Sequence, residues 1–266
     1  MRRIELEGLP NTRDLGGIIN KDGRKIKKHC LLRSGQLFNS TLKDRDVLLN
    51  EYKLKQVFDF RSFAEVEEKP DPKLPGVNYF HIPTMKEITK GITREKNTDK
   101  DTVKMIILDM ANDLPRAEKY MEDIYTNLVN DDYALSQYAK FIDHLLNNDG
   151  GSSLWHCTAG KDRAGFATFL VLECLNVDKE IIIQDYLLTN EYVKNDINLM
   201  VASIKKDYNF PLIDQVVGAL FGIKREYLEK VYETIDTKYG GIKKFLLDKI
   251  KVDEIKMKKL QNLYLE

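Results

Sequence analysis

Residues 156–165, with the sequence HCTAGKDRAG, constrain the possible folds of this chain more than any other segment. They follow a short apolar stretch at residues 153–155 and precede a helical pattern at residues 166–175. This order predicts a strand, a tight loop and a helix. Such a loop can wrap its backbone N–H groups around a tetrahedral anion at the N-terminus of the helix. We therefore expect an anion such as phosphate to bind at this junction.

Cys157 and Arg163 are the predicted catalytic residues of this loop. A cysteine attacks as its thiolate, and the helix N-terminus, Arg163 and Lys161 all supply positive charge near Cys157. The planar guanidinium of Arg163 can bind two oxygens of one phosphate group. The spacing therefore favours phosphoryl transfer to sulfur, followed by hydrolysis of a cysteinyl-phosphate. The loop residues predicted to contact the substrate are Thr158, Ala159, Gly160, Lys161, Asp162 and Ala164.

The alternative interpretation of this segment is a buried structural cysteine followed by an unrelated basic turn. A cysteine six residues before an arginine occurs often by chance, so the spacing alone is weak. The surrounding His156, Gly160 and Gly165, together with the strand and helix on either side, favour the catalytic interpretation. We expect His156 to orient the loop and not to act as a base.

With these residues, the chain resembles the bacterial cysteine-dependent tyrosine and lipid phosphatases whose loop reads H-C-x-x-G-K-D-R-[TS]-G. The resemblance extends over about residues 8 to 250 and is weakest at residues 86–130. Further matching motifs are NTRDLGG at 11–17, RSGQL at 33–37, DFRS at 59–62 with Glu65, DYLLTN at 185–190 and YGG at 239–241. The resemblance implies a tyrosine-phosphatase-like fold that hydrolyses phosphotyrosine proteins or phosphoinositides and releases inorganic phosphate.

Ala164 departs from this family pattern, which has Thr or Ser at the position after the arginine. In the family, that hydroxyl is thought to help the cysteine sulfur leave when the phospho-enzyme is hydrolysed. We therefore expect slow turnover and accumulation of phosphorylated Cys157. The alternative is that another hydroxyl, on Thr158 or Thr168, takes over this role.

The general acid that protonates the leaving group is assigned first to Asp59, at the end of an apolar run. Ligand sites of open α/β sheets gather at the carboxyl ends of strands, and the family resemblance points to the same residue. An ion pair with Arg61 is the structural alternative for Asp59. In many other phosphatases of this chemistry the acid comes from a loop some thirty residues before the cysteine, and Asp131 and Asp132 lie close to that window in a polar stretch. They and Asp162 in the loop remain open as other acids.

Lys161 has two interpretations. A second cation in the loop favours more highly phosphorylated head groups, such as phosphoinositides, whereas most lysines are simply solvated at the surface. The sequence favours the substrate role slightly.

Composition and targeting signals narrow the class of protein. The 266 residues contain 42 Lys and Arg and 42 Asp and Glu, a balance that does not suggest a nucleic-acid partner. Three cysteines give no disulfide framework, and four histidines without ligand spacing predict neither a metal site nor a cofactor. No signal peptide and no transmembrane segment are evident, so we expect a cytoplasmic protein, with export lacking a signal peptide left open.

The chain as a whole is predicted to be a single phosphatase domain, residues 1–266, of the α/β class. Strands at residues 54–60, 77–82 and 153–155 indicate a central, mainly parallel sheet flanked by helices. Residues 84–131 are predicted to form an α-helical lid or insertion, with plain helical packing as the alternative. Two competing functions are a catalytically weak phosphate-binding module, supported by Ala164, and a rhodanese-like sulfur transferase.

Overall fold

A computed structural model describes residues 2–85, 100–148 and 150–266. Its six strands are β1 (Arg2–Arg3), β2 (Arg13–Asp14), β3 (Leu31–Ser34), β4 (Leu54–Asp59), β5 (Asn78–His81) and β6 (Ser152–His156). They form one sheet in the order β1-β2-β3-β6-β4-β5. The strands from β3 to β5 in this order pair in parallel, whereas β2 pairs antiparallel with both β1 and β3. The mainly parallel sheet confirms the predicted fold class.

Helices flank this sheet along the described part of the chain. They are α1 (Leu42–Asp46), α2 (Phe63–Glu68), α3 (Lys100–Met110), α4 (Leu114–Asn130), α5 (Asp132–Leu145), α6 (Asp162–Cys174), α7 (Lys179–Leu187), α8 (Thr189–Lys205), α9 (Ile213–Phe221), α10 (Arg225–Tyr239), α11 (Ile242–Asp248) and α12 (Glu254–Tyr264). A 3₁₀-helical turn at Leu37–Asn39 and a π-helical turn at Val47–Glu51 complete the helical segments. Among the described helices, none has the length and apolar composition needed to cross a bilayer.

Successive residues of the central strands point into two separate hydrophobic clusters. In β6, Trp155 belongs to the larger cluster and Leu154 to the smaller one. In β4, Phe58 belongs to the larger cluster and Val57 to the smaller one. Because side chains alternate across a strand, apolar residues in succession show that both faces of the sheet are covered. This burial holds β6 rigidly in the middle of the sheet, directly before the loop.

Local signals account for the helices nearest the loop. Ser62 caps α2, and the side chain of Glu65 returns a hydrogen bond to the Ser62 backbone, which is the capping box expected of this spacing. The helix after the loop begins at Asp162, four residues earlier than its apolar pattern at residue 166 predicts. Arg163 therefore lies in the first turn of α6 and not in a free loop.

The predicted lid at residues 84–131 contains α3 and α4, whereas residues 86–99 of it lie outside the described part. α4 packs against α9 and α10, and α3 and α8 both pack against α9. We call α3, α4, α8 and α9 the helical cover. Residues 189–221, which the sequence indicated only as helical, thus pack together with the two helices of the predicted lid. The gating role of residues 84–131 stays a prediction.

Candidate active site

The loop lies at the carboxyl edge of the parallel strands, between β6 and α6. Cys157 directly follows β6 and is 2% exposed, and Arg163 in the first turn of α6 is equally buried. Gly160 has φ +69°, and a Cβ added there would lie 2.4 Å from the backbone oxygen of Ser34. The tight approach of the loop to β3 therefore requires glycine at this position.

The carbonyl groups of the loop are turned outward by hydrogen bonds from the N-terminal part of the chain. The oxygens of residues 158, 159 and 160 accept from Gln36 N at 3.1 Å, Asn11 Nδ2 at 2.8 Å and Arg33 Nη2 at 2.9 Å. The oxygen of Lys161 accepts from Gly165 N at 2.8 Å. In a trans peptide the following N–H points opposite to the C=O. Four successive N–H groups, of residues 159–162, are thus directed away from these partners and can bind an anion.

Two buried arginines support this arrangement from beneath the loop. Asp185 on α7 accepts from Arg13 at 2.9 Å and from Arg33 at 2.8 Å, and Arg13 also donates to Asn11 at 2.7 Å. These residues belong to the motifs at 11–17, 33–37 and 185–190. The structure therefore gives the motifs a common physical purpose, which is to fix the backbone of the loop.

Glu65 fixes the side chain of Arg163. Its two carboxylate oxygens accept from Arg163 Nη1 at 2.7 Å and Nη2 at 2.8 Å, and it also accepts from the hydroxyl of Thr158. Although burial opposes ionisation, the charge and hydrogen bonds of Arg163 lower the pKa of Glu65 to about 2. The guanidinium is therefore held in one orientation beside the loop before any substrate binds.

Asp59 has the contacts of a structural ion pair. Arg61 donates to it through Nη2 at 2.6 Å and through Nε at 2.9 and 3.0 Å. Although burial opposes ionisation, the charge of His156 and the bonds from Arg61 lower the pKa of Asp59 to about 2. Such a carboxylate holds no proton to donate near neutral pH. The assignment of Asp59 as the acid stays a prediction, and this geometry supports its ion-pair alternative.

Asp71 is a site residue that the sequence analysis missed. Its carboxylate lies 2.8 Å from His156 Nε2 and 3.0 Å from Arg61 Nη2, and it accepts from Leu37 N at 3.1 Å. It belongs to the Pro-rich turn at residues 70–75, which carried no signal beyond its being a loop. Burial opposes protonation of His156, but Asp59 and Asp71 raise its pKa. Asp71 and Asp59 thus hold His156 in place directly before the loop, and its role in orienting the loop stays a prediction.

Asp59, Asp71 and His156 also form the group of three possible metal ligands that the described residues contain. The charges of the two carboxylates are balanced by Arg61 and His156, so the group is already satisfied as an ion network.

Lys161 and Asp162 connect the loop to the helical cover. Lys161 is 5% exposed, and its ammonium donates to the carbonyl oxygens of Leu220 at 2.8 Å and Gly222 at 3.3 Å, at the C-terminal end of α9. It is therefore not the solvated surface lysine of the alternative interpretation. Asp162 accepts a hydrogen bond of 2.5 Å from the hydroxyl of Tyr125 on α4.

A cavity of about 960 Å³ lies between the loop and the helical cover. Thr158, Ala159, Lys161, Asp162 and Arg163 form its floor. Of the carboxylates proposed as the acid, Asp131 and Asp162 line this cavity. Asp132 lies instead at the surface, where it pairs with Lys249 at 2.8 Å.

Ala164 is fully buried at the start of α6. The hydroxyl of Thr168 donates to the carbonyl oxygen of Ala164 at 2.8 Å, and the hydroxyl of Thr158 donates to Glu65. Each proposed replacement hydroxyl therefore already donates its proton elsewhere.

A buried cysteine and arginine lie on one loop that can bind an anion, at the end of a central parallel strand, and this arrangement is the one expected of a phosphatase. The chain belongs to the tyrosine phosphatase family, whose model matches residues 4–266.

Known relatives agree with this assignment over nearly the whole chain. A candidate tyrosine-protein phosphatase of Cupriavidus necator is 25% identical over 94% of this chain and 85% of its own length. The triple specificity protein phosphatase PtpB of Mycobacterium tuberculosis is 25% identical over 92% of each chain. A tyrosine-protein phosphatase of Nostoc commune is 33% identical over a shorter region, 22% of this chain and 20% of its own. This protein is therefore a phosphatase.

Proposed function

We propose that this phosphatase hydrolyses phosphotyrosine through a cysteinyl-phosphate intermediate. Sγ of Cys157 attacks phosphorus, the bond from phosphorus to the tyrosine oxygen breaks, and that oxygen takes up a proton. Water then attacks phosphorus, the S–P bond breaks, and inorganic phosphate leaves. The observation that carries this proposal is the outward orientation of the loop carbonyls, because it leaves four N–H groups for the phosphate oxygens.

Arg163 is proposed to bind two phosphate oxygens in the ground state and the transition state. Glu65 already holds its guanidinium, so little reorganisation accompanies binding. The proposed attacking group is the thiolate of Cys157, which is the nucleophilic form of a cysteine. Such a thiolate works best where thiols stay reduced, which supports a cytoplasmic location.

The nucleophile is tested by comparing Cys157→Ser with Arg163→Lys. We expect Cys157→Ser to lose turnover of 4-nitrophenyl phosphate while it still binds inorganic phosphate in calorimetry. Arg163→Lys should lose both, because lysine cannot replace the two-pronged contact. Trapping of acid-quenched, radiolabelled phospho-enzyme in the wild type but not in Cys157→Ser would complete the assignment. Full turnover by Cys157→Ser would contradict the mechanism.

The general acid is proposed to be Asp162, because it lines the cavity within the loop itself, whereas Asp131 caps α5 by accepting from Tyr133 N and Asp59 is saturated by Arg61. Loss of an acid costs more rate with a poor leaving group than with a good one. Asp162→Asn should therefore reduce kcat/KM for phenyl phosphate far more than for 4-nitrophenyl phosphate. An equal loss on both substrates would remove Asp162 from this role, and a selective loss in Asp59→Asn would restore the assignment made from the sequence.

Phosphoinositides are proposed as a second substrate class. Support comes from the name of the PtpB relative, which describes three specificities, and not from Lys161, because its ammonium is bound to carbonyl oxygens of α9. The alternative, a catalytically weak phosphate-binding module, predicts phosphate binding without turnover. A panel comparing a phosphotyrosine peptide with short-chain phosphoinositides, read as phosphate release, separates these possibilities.

A further inference from the structure

The cavity above the loop carries information about the organic part of the substrate. Resting on the proposed function, we propose that this enzyme acts on small amphipathic phosphomonoesters whose apolar group enters the cavity beneath the helical cover. A phosphotyrosine on the surface of a folded protein would not use this space. The phosphate would bind at the loop, and the apolar group would extend from it among the cover helices.

Apolar side chains make up most of the cavity wall, although polar residues such as Asn127, Asp196 and Ser203 also line it. The buried apolar residues come from each helix of the helical cover and include Ile107, Met121, Leu128, Val193, Ile204 and Leu220. Each of these side chains is less than 10% exposed. The apolar part of this wall offers an apolar group dispersion contacts and removal from water.

Positive charge at the cavity floor is arranged for one anion. Arg163 is oriented by Glu65, and the loop N–H groups stand beside it. The ammonium of Lys161 is committed to carbonyl oxygens of α9. The site therefore combines a single anionic end with an apolar remainder, which matches an amphipathic monoester.

The size and the entrance of the cavity agree with this substrate class. A volume of about 960 Å³ lies at the upper end of the ligand pockets that bury most of a small molecule, about 300–1,000 Å³. Leu199 on α8 lines the cavity and is 70% exposed. Because Leu199 both lines the cavity and is exposed, the cavity opens to solvent beside an apolar side chain.

The test is a series of 4-alkylphenyl phosphates from methyl to octyl, read as phosphate release below micelle-forming concentrations. Their leaving groups are nearly identical, so differences in kcat/KM report contacts of the alkyl chain. Burial of one methylene is expected to raise kcat/KM about fourfold, until the cavity is filled. A phosphotyrosine heptapeptide, with a similar leaving group, should have a lower kcat/KM than 4-octylphenyl phosphate.

A matched pair of variants assigns the effect to the cavity. Met200 on α8 lines it, whereas Met257 on α12 is also partly buried but does not. Met200→Gln should reduce the ratio of kcat/KM for 4-octylphenyl phosphate to that for phenyl phosphate several-fold. Met257→Gln should leave this ratio and the activity of the enzyme as they are.

The outcomes separate the two proposals. Steady hydrolysis of phenyl phosphate with no dependence on chain length, or a preference for the peptide, would overturn the substrate class and leave the proposed function intact. Absence of hydrolysis of phenyl phosphate by the wild type would overturn the proposed function itself. An equal effect of Met200→Gln and Met257→Gln would remove the cavity as the cause of a chain-length dependence.

Discussion

Ala164 is the residue whose effect on the reaction can be isolated most directly. It is buried at the start of α6, and the hydroxyls of Thr158 and Thr168 donate elsewhere. We expect Ala164→Ser to speed hydrolysis of the phospho-enzyme, because it adds the missing hydroxyl with the least added volume. The measurement is burst kinetics with 4-nitrophenyl phosphate, in which the steady-state rate should rise and the burst amplitude should fall. A second step that is already fast in the wild type would contradict this.

The stabilising contribution of Glu65 to the folded protein is lost at acid pH. Its pKa is lowered in the folded protein from 4.5 to about 2, so its stabilising contribution is complete above about pH 4.5 and is lost as pH falls through about 2. Glu65→Gln leaves Arg163 buried without its anion, which typically costs about 3–5 kcal/mol at neutral pH. Thermal unfolding should show a large difference between wild type and Glu65→Gln at pH 7 that shrinks towards pH 2. A difference independent of pH would exclude this ion pair as its cause.

At the scale of elements, the turn at Gly160 decides whether the loop can dock on β3. Gly160→Ala adds a Cβ at 2.4 Å from Ser34 O in a backbone with φ +69°, which should cost about 1–3 kcal/mol in strain and most of the activity. Gly218→Ala is the matched control, because Gly218 lies within α9 with open space around its Cβ position. The free energy of unfolding of Gly218→Ala should rise by about 0.4–1 kcal/mol. Urea unfolding and phosphate release measure both.

The same elements show how far sequence reasoning reached. The strand, loop and helix around Cys157 were predictable because turn glycines and apolar patterns are local signals. Contacts of Lys161 with the end of α9, and of Asp71 with His156, join segments that no local pattern connects. Amphipathic helices could be recognised at residues 189–221, but their pattern does not say which surface they cover. The sequence allowed Asp59 to be either a general acid or the ion-pair partner of Arg61. Only the distances between the two side chains could favour the ion pair.

At the scale of the whole molecule, Asp185 joins the N-terminal strands of the sheet to a helix from the second half of the chain. It is buried between Arg13 in β2 and Arg33 in β3 while it belongs to α7. Asp185→Asn leaves two buried guanidinium groups without their carboxylate, and we expect a loss of about 3–5 kcal/mol in the free energy of unfolding. Urea unfolding measures this loss.

The control for Asp185 is Glu180→Gln on the same helix. Glu180 pairs with Arg225 at the exposed surface, where ion pairs contribute little. Its unfolding midpoint should remain close to that of the wild type. Similar losses in both variants would show that the buried ion network around Asp185 stabilises the fold no more than an exposed ion pair does.

The outward-turned loop carbonyls also determine when the active site can form as the chain folds. Their partners Asn11 and Arg33 lie 148 and 127 residues from the loop residues they bind. Contacts between such distant residues form slowly, since the intervening chain must first be ordered. The loop should therefore be among the last parts to mature, so that the proposed nucleophile acquires its proposed phosphate-binding surroundings only in a molecule that has finished folding.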